Sequence, residues 1–219
     1  MERNHCEGGI PSPQEFEKVM DERFSPTVNE KLRRGRVGIA GLGGLGSHIA
    51  VMLARSGVGC LHLVDFDVVE LSNLNRQAYR LEHLGMAKTQ ALSEELKRIN
   101  PYLDIRTDQL RVTEQNAGEI FRADPIVCEA FDRPQAKAML VNTLLGETTE
   151  TVVIAGSGMA GYGSANAISS RRMGRRLCLC GDGTTDIDSG IGLMAARVSI
   201  CAGHQANAAI RLLLGETQI

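Results

Sequence analysis

Two periods of apolar and polar positions alternate along the chain. Short apolar runs at Arg36–Ala40, Cys60–Val64, 103–105, 126–128 and 152–155 have the length of strands buried on both faces. Between them, 47–57, 86–99 and 134–145 carry apolar residues at helical spacing. Gly57 ends the first of these helices, Asn100-Pro101 stops the second, and Pro134 opens the third. A further strand is expected over 176–180. The longest pattern is Ala195–Leu214, where Ala195, Val198, Ala202, Ala206, Ala209 and Leu213 make one apolar stripe. Near the start, Ser12 caps a helix opened by Pro13, Ser25-Pro26 interrupts it, and a second short helix runs to about Arg34. This alternation predicts an α/β fold, a doubly wound and mostly parallel sheet preceded by a short helical N-terminal segment.

Composition narrows the classes. The 219 residues are 43% hydrophobic and 23% charged, enough for a sizeable core and too apolar for disorder. Lys+Arg 24 against Asp+Glu 26 leaves a net charge of −2, so no basic field favours nucleic acid. No apolar run approaches the roughly 20 residues that span a bilayer, and Met1-Glu2-Arg3-Asn4 lacks an apolar signal core. A cytoplasmic protein without membrane or nucleic-acid partners is expected. The six cysteines are expected to be reduced, with Cys60 and Cys128 acting as small hydrophobes in strands.

The chemistry begins at Gly41-Leu42-Gly43-Gly44-Leu45-Gly46, a G-x-G-x-x-G run between a strand and a helix. Its glycines let the backbone approach phosphate oxygens, and the following helix points N–H groups at their charge. Asp65 ends the next strand, where a carboxylate can accept bonds from ribose hydroxyls. This unit is Rossmann-like and holds an adenine nucleotide, but by itself it serves NAD and ATP equally. Further strand ends bring Ser72, Asn73, Arg76, Lys88 and Asp132 toward the same crevice. Cations for phosphate oxygens and a carboxylate for Mg²⁺ suit a triphosphate better than a nicotinamide.

These residues resemble the ThiF/MoeB-like branch of the ubiquitin-activating enzyme superfamily. The matching stretches are 41–47, 63–67, Ser72-Asn73-Leu74-Asn75-Arg76-Gln77, Lys88 and Ala130-Phe131-Asp132. The segments 155–161 and 180–183 are similar to the short second ThiF family of thiamine biosynthesis. The resemblance implies ATP and Mg²⁺ as cofactors and adenylation of the C-terminal glycine carboxylate of a ubiquitin-like sulfur-carrier protein of the ThiS type. It implies Gly43 and Gly44 at the nucleotide, Asp65 at ribose, and Ser72, Asn73 and Arg76 beside the phosphates. Lys88 would offset phosphate charge and Asp132 would hold magnesium; Arg76, Lys88 and Asp132 form the catalytic set. The division that follows is 1–35 for the helical segment and 36–219 for a nucleotide-binding adenylyltransferase domain. The alternatives are an NAD-dependent oxidoreductase and a non-catalytic module that docks a ubiquitin-like protein.

A symmetric homodimer is also expected, with the small-residue terminal helix offering a flat surface. In relatives an N-terminal Arg completes the neighbour's site, and Arg23 is its nearest substitute here. Cys178, Cys180, Cys201 and His204 have zinc-ligand types, but Cys-x-Cys lacks the usual knuckle spacing, and buried thiols with a core histidine are favoured. A covalent role for Cys178 or Cys180 remains open. Arg171, Arg172, Arg175 and Arg176 read equally as a solvated loop or as a docking surface for an acidic partner.

Overall fold

The computed structural model describes residues 9–186, 190 and 192–218. Helix α1 (Pro13–Phe24) starts at a reciprocal cap, with Glu15 N–H on Ser12 Oγ at 3.2 Å and Ser12 N–H on the Glu15 carboxylate at 2.8 Å. Ser25, at φ 77°, turns the chain into α2 (Pro26–Arg33). Leu32 of α2 is buried in the same core as the sheet.

From there strands and helices alternate as β1 (Arg36–Ala40), α3 (Gly44–Arg55), β2 (Cys60–Val64), α4 (Lys88–Ile99) and β3 (Asp104–Asp108). The second half runs α5 (Ala117–Ile120), β4 (Ile126–Glu129), α6 (Pro134–Glu147), β5 (Val152–Gly156), β6 (Ser169–Met173), β7 (Leu177–Gly181) and α7 (Ala195–Leu214). The sheet order is β3-β2-β1-β4-β5-β7-β6, parallel throughout except for β6 against β7. Strand order reverses between β1 and β4, and the crevice outside the strand ends at such a switch point is where ligands bind.

Side chains alternate across the sheet. Val37, Ile39, Leu61, Leu63, Cys128 and Ile154 pack with α3, α4 and α7 on one face. Ala40, Val64, Val127 and Val153 pack with Phe121, Leu140 and Leu144 on the other. The terminal helix has the predicted bounds, but Ala202, Ala206 and Ala209 are buried within the chain itself. Their small size lets α7 approach α3 and the sheet closely, so this stripe offers no free flat surface.

Three other expectations need correction. Helix α3 begins at Gly44, inside the glycine run, not at Ser47. The strand expected over 103–105 is longer and shifted, Asp104–Asp108. The arginine run is not a loop: Arg171 and Arg172 lie in β6, joined to β7 by a tight turn at Gly174, whose φ is 73°. Arg172 donates to the carbonyls of Thr217 and Arg175, and Arg176 to those of Thr148 and Leu145, so half of this charge is bonded to backbone carbonyls.

His62 of β2 stands between two carboxylates, with Nδ1 2.6 Å from Asp124 Oδ2 and Nε2 2.8 Å from Asp108 Oδ2. Burial opposes its charge, but the bonds and charges of Asp124 and Asp108 outweigh burial and raise its pKa. A raised folded pKa gives stability that is complete below the unfolded value of about 6.5 and is lost as pH rises through the folded value. Urea midpoints are therefore expected to fall as pH rises above about 6.5, with His62→Gln flattening that slope. Equal slopes in the two proteins would show that His62 carries no folding-linked proton.

Candidate active site

Gly41 leaves β1 at φ 89°, which a side chain disfavours, and any Cβ there would press on the Ala130 carbonyl and the Phe131 ring. The loops after β1 and β4 are thus in van der Waals contact. Gly46 is closer still: its Cβ would overlap the Gly41 carbonyl oxygen. Gly43 differs, because a Cβ there would meet only Gln77 Nε2, at 3.8 Å. It caps α3 without any side-chain bond, so the first N–H groups of the helix lack a side-chain acceptor. A dipole end of this kind beside an open backbone suits an anion.

Asp65 is buried and braces this loop. Its Oδ2 accepts Leu42 N–H at 2.6 Å and its Oδ1 accepts Asp67 N–H at 2.8 Å, leaving one further lone pair on each oxygen. Tyr79 donates to the Leu42 carbonyl at 2.8 Å, and Ala78 N–H bonds Ser47 Oγ at 3.0 Å, holding 76–79 against the start of α3. Arg76 accordingly lies beside Gly44, with its Cγ at 3.6 Å from a Cβ built there. One Arg76 nitrogen donates to Ser72 O and Asn75 Oδ1, while buried Nε has no partner. Gln77 Oε1 is likewise buried and unpartnered. Unpaired buried polar atoms are costly, and an anion at Arg76 would satisfy the first of these.

Ser72 and Asn73 share a single 3₁₀ turn, Leu71–Asn73, which Asn73 fixes by accepting Glu70 N–H at 3.0 Å. Lys88 is the first residue of α4, is 6% exposed, and sits 3.1 Å from Asp67 Oδ2. Asp132 follows β4, is exposed, and has no hydrogen bond or ion pair among the described residues. Asp65 and Arg76 touch the glycine loop directly, and Lys88 reaches Asp65 through Asp67. Asp132 joins them through the Phe131–Gly41 contact.

Several residues that matter here carry no obvious sequence signal. Gln77 was visible only as part of a motif. Glu129 is fully buried, with Oε1 on Phe131 N–H at 2.7 Å and Oε2 2.8 Å from Lys137 Nζ. Arg197 is 4% exposed, donates to the carbonyls of Gly163 and Ser164, and pairs with Asp182. That pair ties the loops after β5 and β7 to α7.

Among the described residues, the thiols form no comparable site. Cys178 and Cys180 are fully buried, and burial pushes Cys180 up to about 11, so it stays a thiol at neutral pH. Cys201 Sγ donates to the Cys180 carbonyl and His204 Nδ1 bonds Ser170 Oγ at 2.9 Å. Among the described residues, the group that brings three possible metal ligands together is Glu82, His83 and Glu95. There His83 Nδ1 accepts Arg80 N–H and both carboxylates bond Arg98, a structural network rather than an ion cage. No described helix is long and apolar enough to cross a membrane.

Fold and site together define a doubly wound α/β protein with an anion-ready glycine loop, two cations and a free carboxylate at neighbouring strand ends. Residues 17–219 match the model of the ThiF family, and the chain belongs to that family. It is 34% identical over 182 residues to "Adenylyltransferase and sulfurtransferase UBA4" of Eremothecium gossypii, covering 79% of this chain and 40% of that protein. A protein of the same name from Aspergillus clavatus is 42% identical over 120 residues, 53% of this chain and 24% of its own length. The chain thus spans well under half of these curated relatives. Among solved structures, E. coli tRNA N6-threonylcarbamoyladenosine dehydratase, TcdA, in complex with ATP, superposes with TM-score 0.82 at 18% identity, covering 94% of this chain and 98% of that one. E. coli MccB with ATP gives TM-score 0.67 at 24% identity, covering 87% and 60%.

Proposed function

We propose that this chain uses Mg·ATP to adenylate the C-terminal glycine carboxylate of a small ubiquitin-like sulfur-carrier protein, of the ThiS type that serves thiamine thiazole synthesis. The observation that carries the reading is an uncapped helix start beside Arg76, with the unpartnered carboxylate of Asp132 on the adjoining loop. The name adenylyltransferase borne by the UBA4 relatives supports the reaction, and the ATP complexes of TcdA and MccB support the nucleotide. The choice of carrier rests on the similarity of segments 155–161 and 180–183 to the short ThiF family.

The chemical problem is repulsion, since an anionic carboxylate must approach an anionic α-phosphate. In this reading the N–H groups at Gly43, Gly44 and the first turn of α3 hold phosphate oxygens. The free lone pairs of Asp65 take the ribose hydroxyls. Ser72, Asn73 and Arg76 orient the outer phosphates, and Lys88 compensates charge as pyrophosphate leaves. Most of the rate gain is then positioning and charge compensation. The residues fit Mg²⁺ as well: Asp132 is a hard oxygen donor, exposed and without a protein partner. Bound there, the ion would neutralise charge on the phosphate oxygens.

A twofold dimer belongs to the proposal. Helix α1 buries none of its residues in the single chain and leaves Val19 53% exposed, a surface that a second copy would cover, with Arg23 near its end.

The test is ATP–pyrophosphate exchange with and without candidate carriers ending in glycine, with light scattering on the same sample. Exchange that depends on a ThiS-type carrier is expected. Mg·ATP at a hundred times its Kd should also stabilise the fold by about 2.7 kcal/mol. Tight NADH binding without a response to Mg·ATP would install the oxidoreductase, and carrier binding without exchange the docking module. A monomer at working concentration would end the assembly claim.

A further inference from the structure

An ion pair between a buried carboxylate and a half-buried lysine supports the loop that carries Asp132. Glu129 closes β4 with 0% exposure, and Lys137 lies one turn into α6. Glu129 Oε1 takes Phe131 N–H at 2.7 Å, while Lys137 Nζ sits 2.8 Å from Glu129 Oε2 and donates to the Phe131 carbonyl at 3.1 Å. The peptide units on both sides of Phe131 are therefore held, and Asp132 is the next residue. The support extends further, because Gln205 Nε2 donates to the carbonyls of Glu129 at 3.2 Å and Ile154 at 3.3 Å. Gln205 is itself fully buried on α7.

Stability is a poor explanation for this arrangement. Removing the Glu129 carboxylate from water commonly costs as much as its attraction to a lysine returns, and packed apolar side chains would fill the same space as well. An ion pair does supply a fixed geometry that apolar packing does not. We propose that Glu129 and Lys137 are positioning residues for Asp132, fixing the backbone from which its carboxylate meets the magnesium of Mg·ATP. The inference rests on the role given to Asp132 above, and it adds two residues that touch neither nucleotide nor metal.

The test reads metal binding directly. Mn²⁺ is titrated into the full chain with α,β-methylene ATP and followed by electron paramagnetic resonance. Lys137→Met, which keeps the aliphatic stem, is expected to weaken Mn²⁺ binding by about tenfold or more, the usual effect of losing a residue that orients a metal ligand. Affinity for the analogue without metal should stay unchanged, and Lys137→Arg should restore most of the Mn²⁺ affinity. A folded Lys137→Met protein with wild-type Mn²⁺ affinity overturns the inference. Should circular dichroism show Lys137→Met unfolded, Glu129→Gln takes its place, keeping an oxygen for Phe131 N–H while ending the ion pair. Unchanged affinity there overturns it equally. Asp132→Asn separates the two claims, because binding as tight as wild type in that variant removes Asp132 from the metal and the proposed site with it.

Discussion

Asp132→Asn is expected to reduce carrier-dependent ATP–pyrophosphate exchange by about a hundredfold or more, roughly 3 kcal/mol at the barrier. The substitution keeps the side chain's size and removes its charge. Because Asp132 is exposed and has no partner among the described residues, the folded state loses nothing it was using. Melting temperatures of the two proteins should therefore agree, as for most surface changes within about 0.5 kcal/mol. Exchange at the wild-type rate would move the metal elsewhere. Glu129 could not take over, since its carboxylate is fully buried beneath the loop. Asp67, half-exposed beside Lys88, would be the group left to examine.

Gly46→Ala and Gly43→Ala should separate folding from binding within a single loop. At Gly46 a methyl group collides with the backbone carbonyl of Gly41, and neither can move without shifting β1 or α3. The cost should reach the upper end of overpacking, about 3 kcal/mol, which lowers the melting temperature of a chain this size by roughly 6–12 °C. At Gly43 the methyl meets only Gln77 Nε2, at 3.8 Å, so the fold should be untouched. It would instead stand over the open backbone where phosphate is expected, and ATP affinity should drop with melting temperature unchanged. Equal melting temperatures for Gly46→Ala and wild type would mean the loop yields in a way its contacts deny.

Much of the architecture is legible in the sequence because it depends on local rules. The Ser12-Pro13 start, the break at Ser25-Pro26 and the bounds of α7 follow from capping and periodicity, and β1 and β2 from continuous apolar runs. The glycine loop with Asp65 is legible for the same reason: strand, turn and helix are contiguous. Strand β6 was missed because Ser169-Ser170-Arg171-Arg172-Met173 has no apolar face. It is a strand because β7 pairs with it, a long-range fact. The four-residue α5 is too short to show a period. Nothing in the sequence pairs Glu129 with Lys137, and only the packing of β4 against α6 brings the two together. The Asp67–Lys88 contact was hidden in the same way, by the 3₁₀ turns between them.

The last strand of the sheet bears on how copies of this chain can meet. Strand β6 pairs with β7 on one side, and no described strand lies beyond it. Its free side is a row of backbone donors and acceptors, the usual template for edge-to-edge growth into fibres. At its midpoint stands Arg171, exposed, with half-buried Arg172 next to it. Two antiparallel copies joined along this edge would set guanidinium against guanidinium at the centre of the seam, where like charges directly opposed weaken pairing. The arginines thus act as gatekeepers: they favour a chain that stays dispersed when crowded, and they steer any self-association away from the sheet margin toward helical faces.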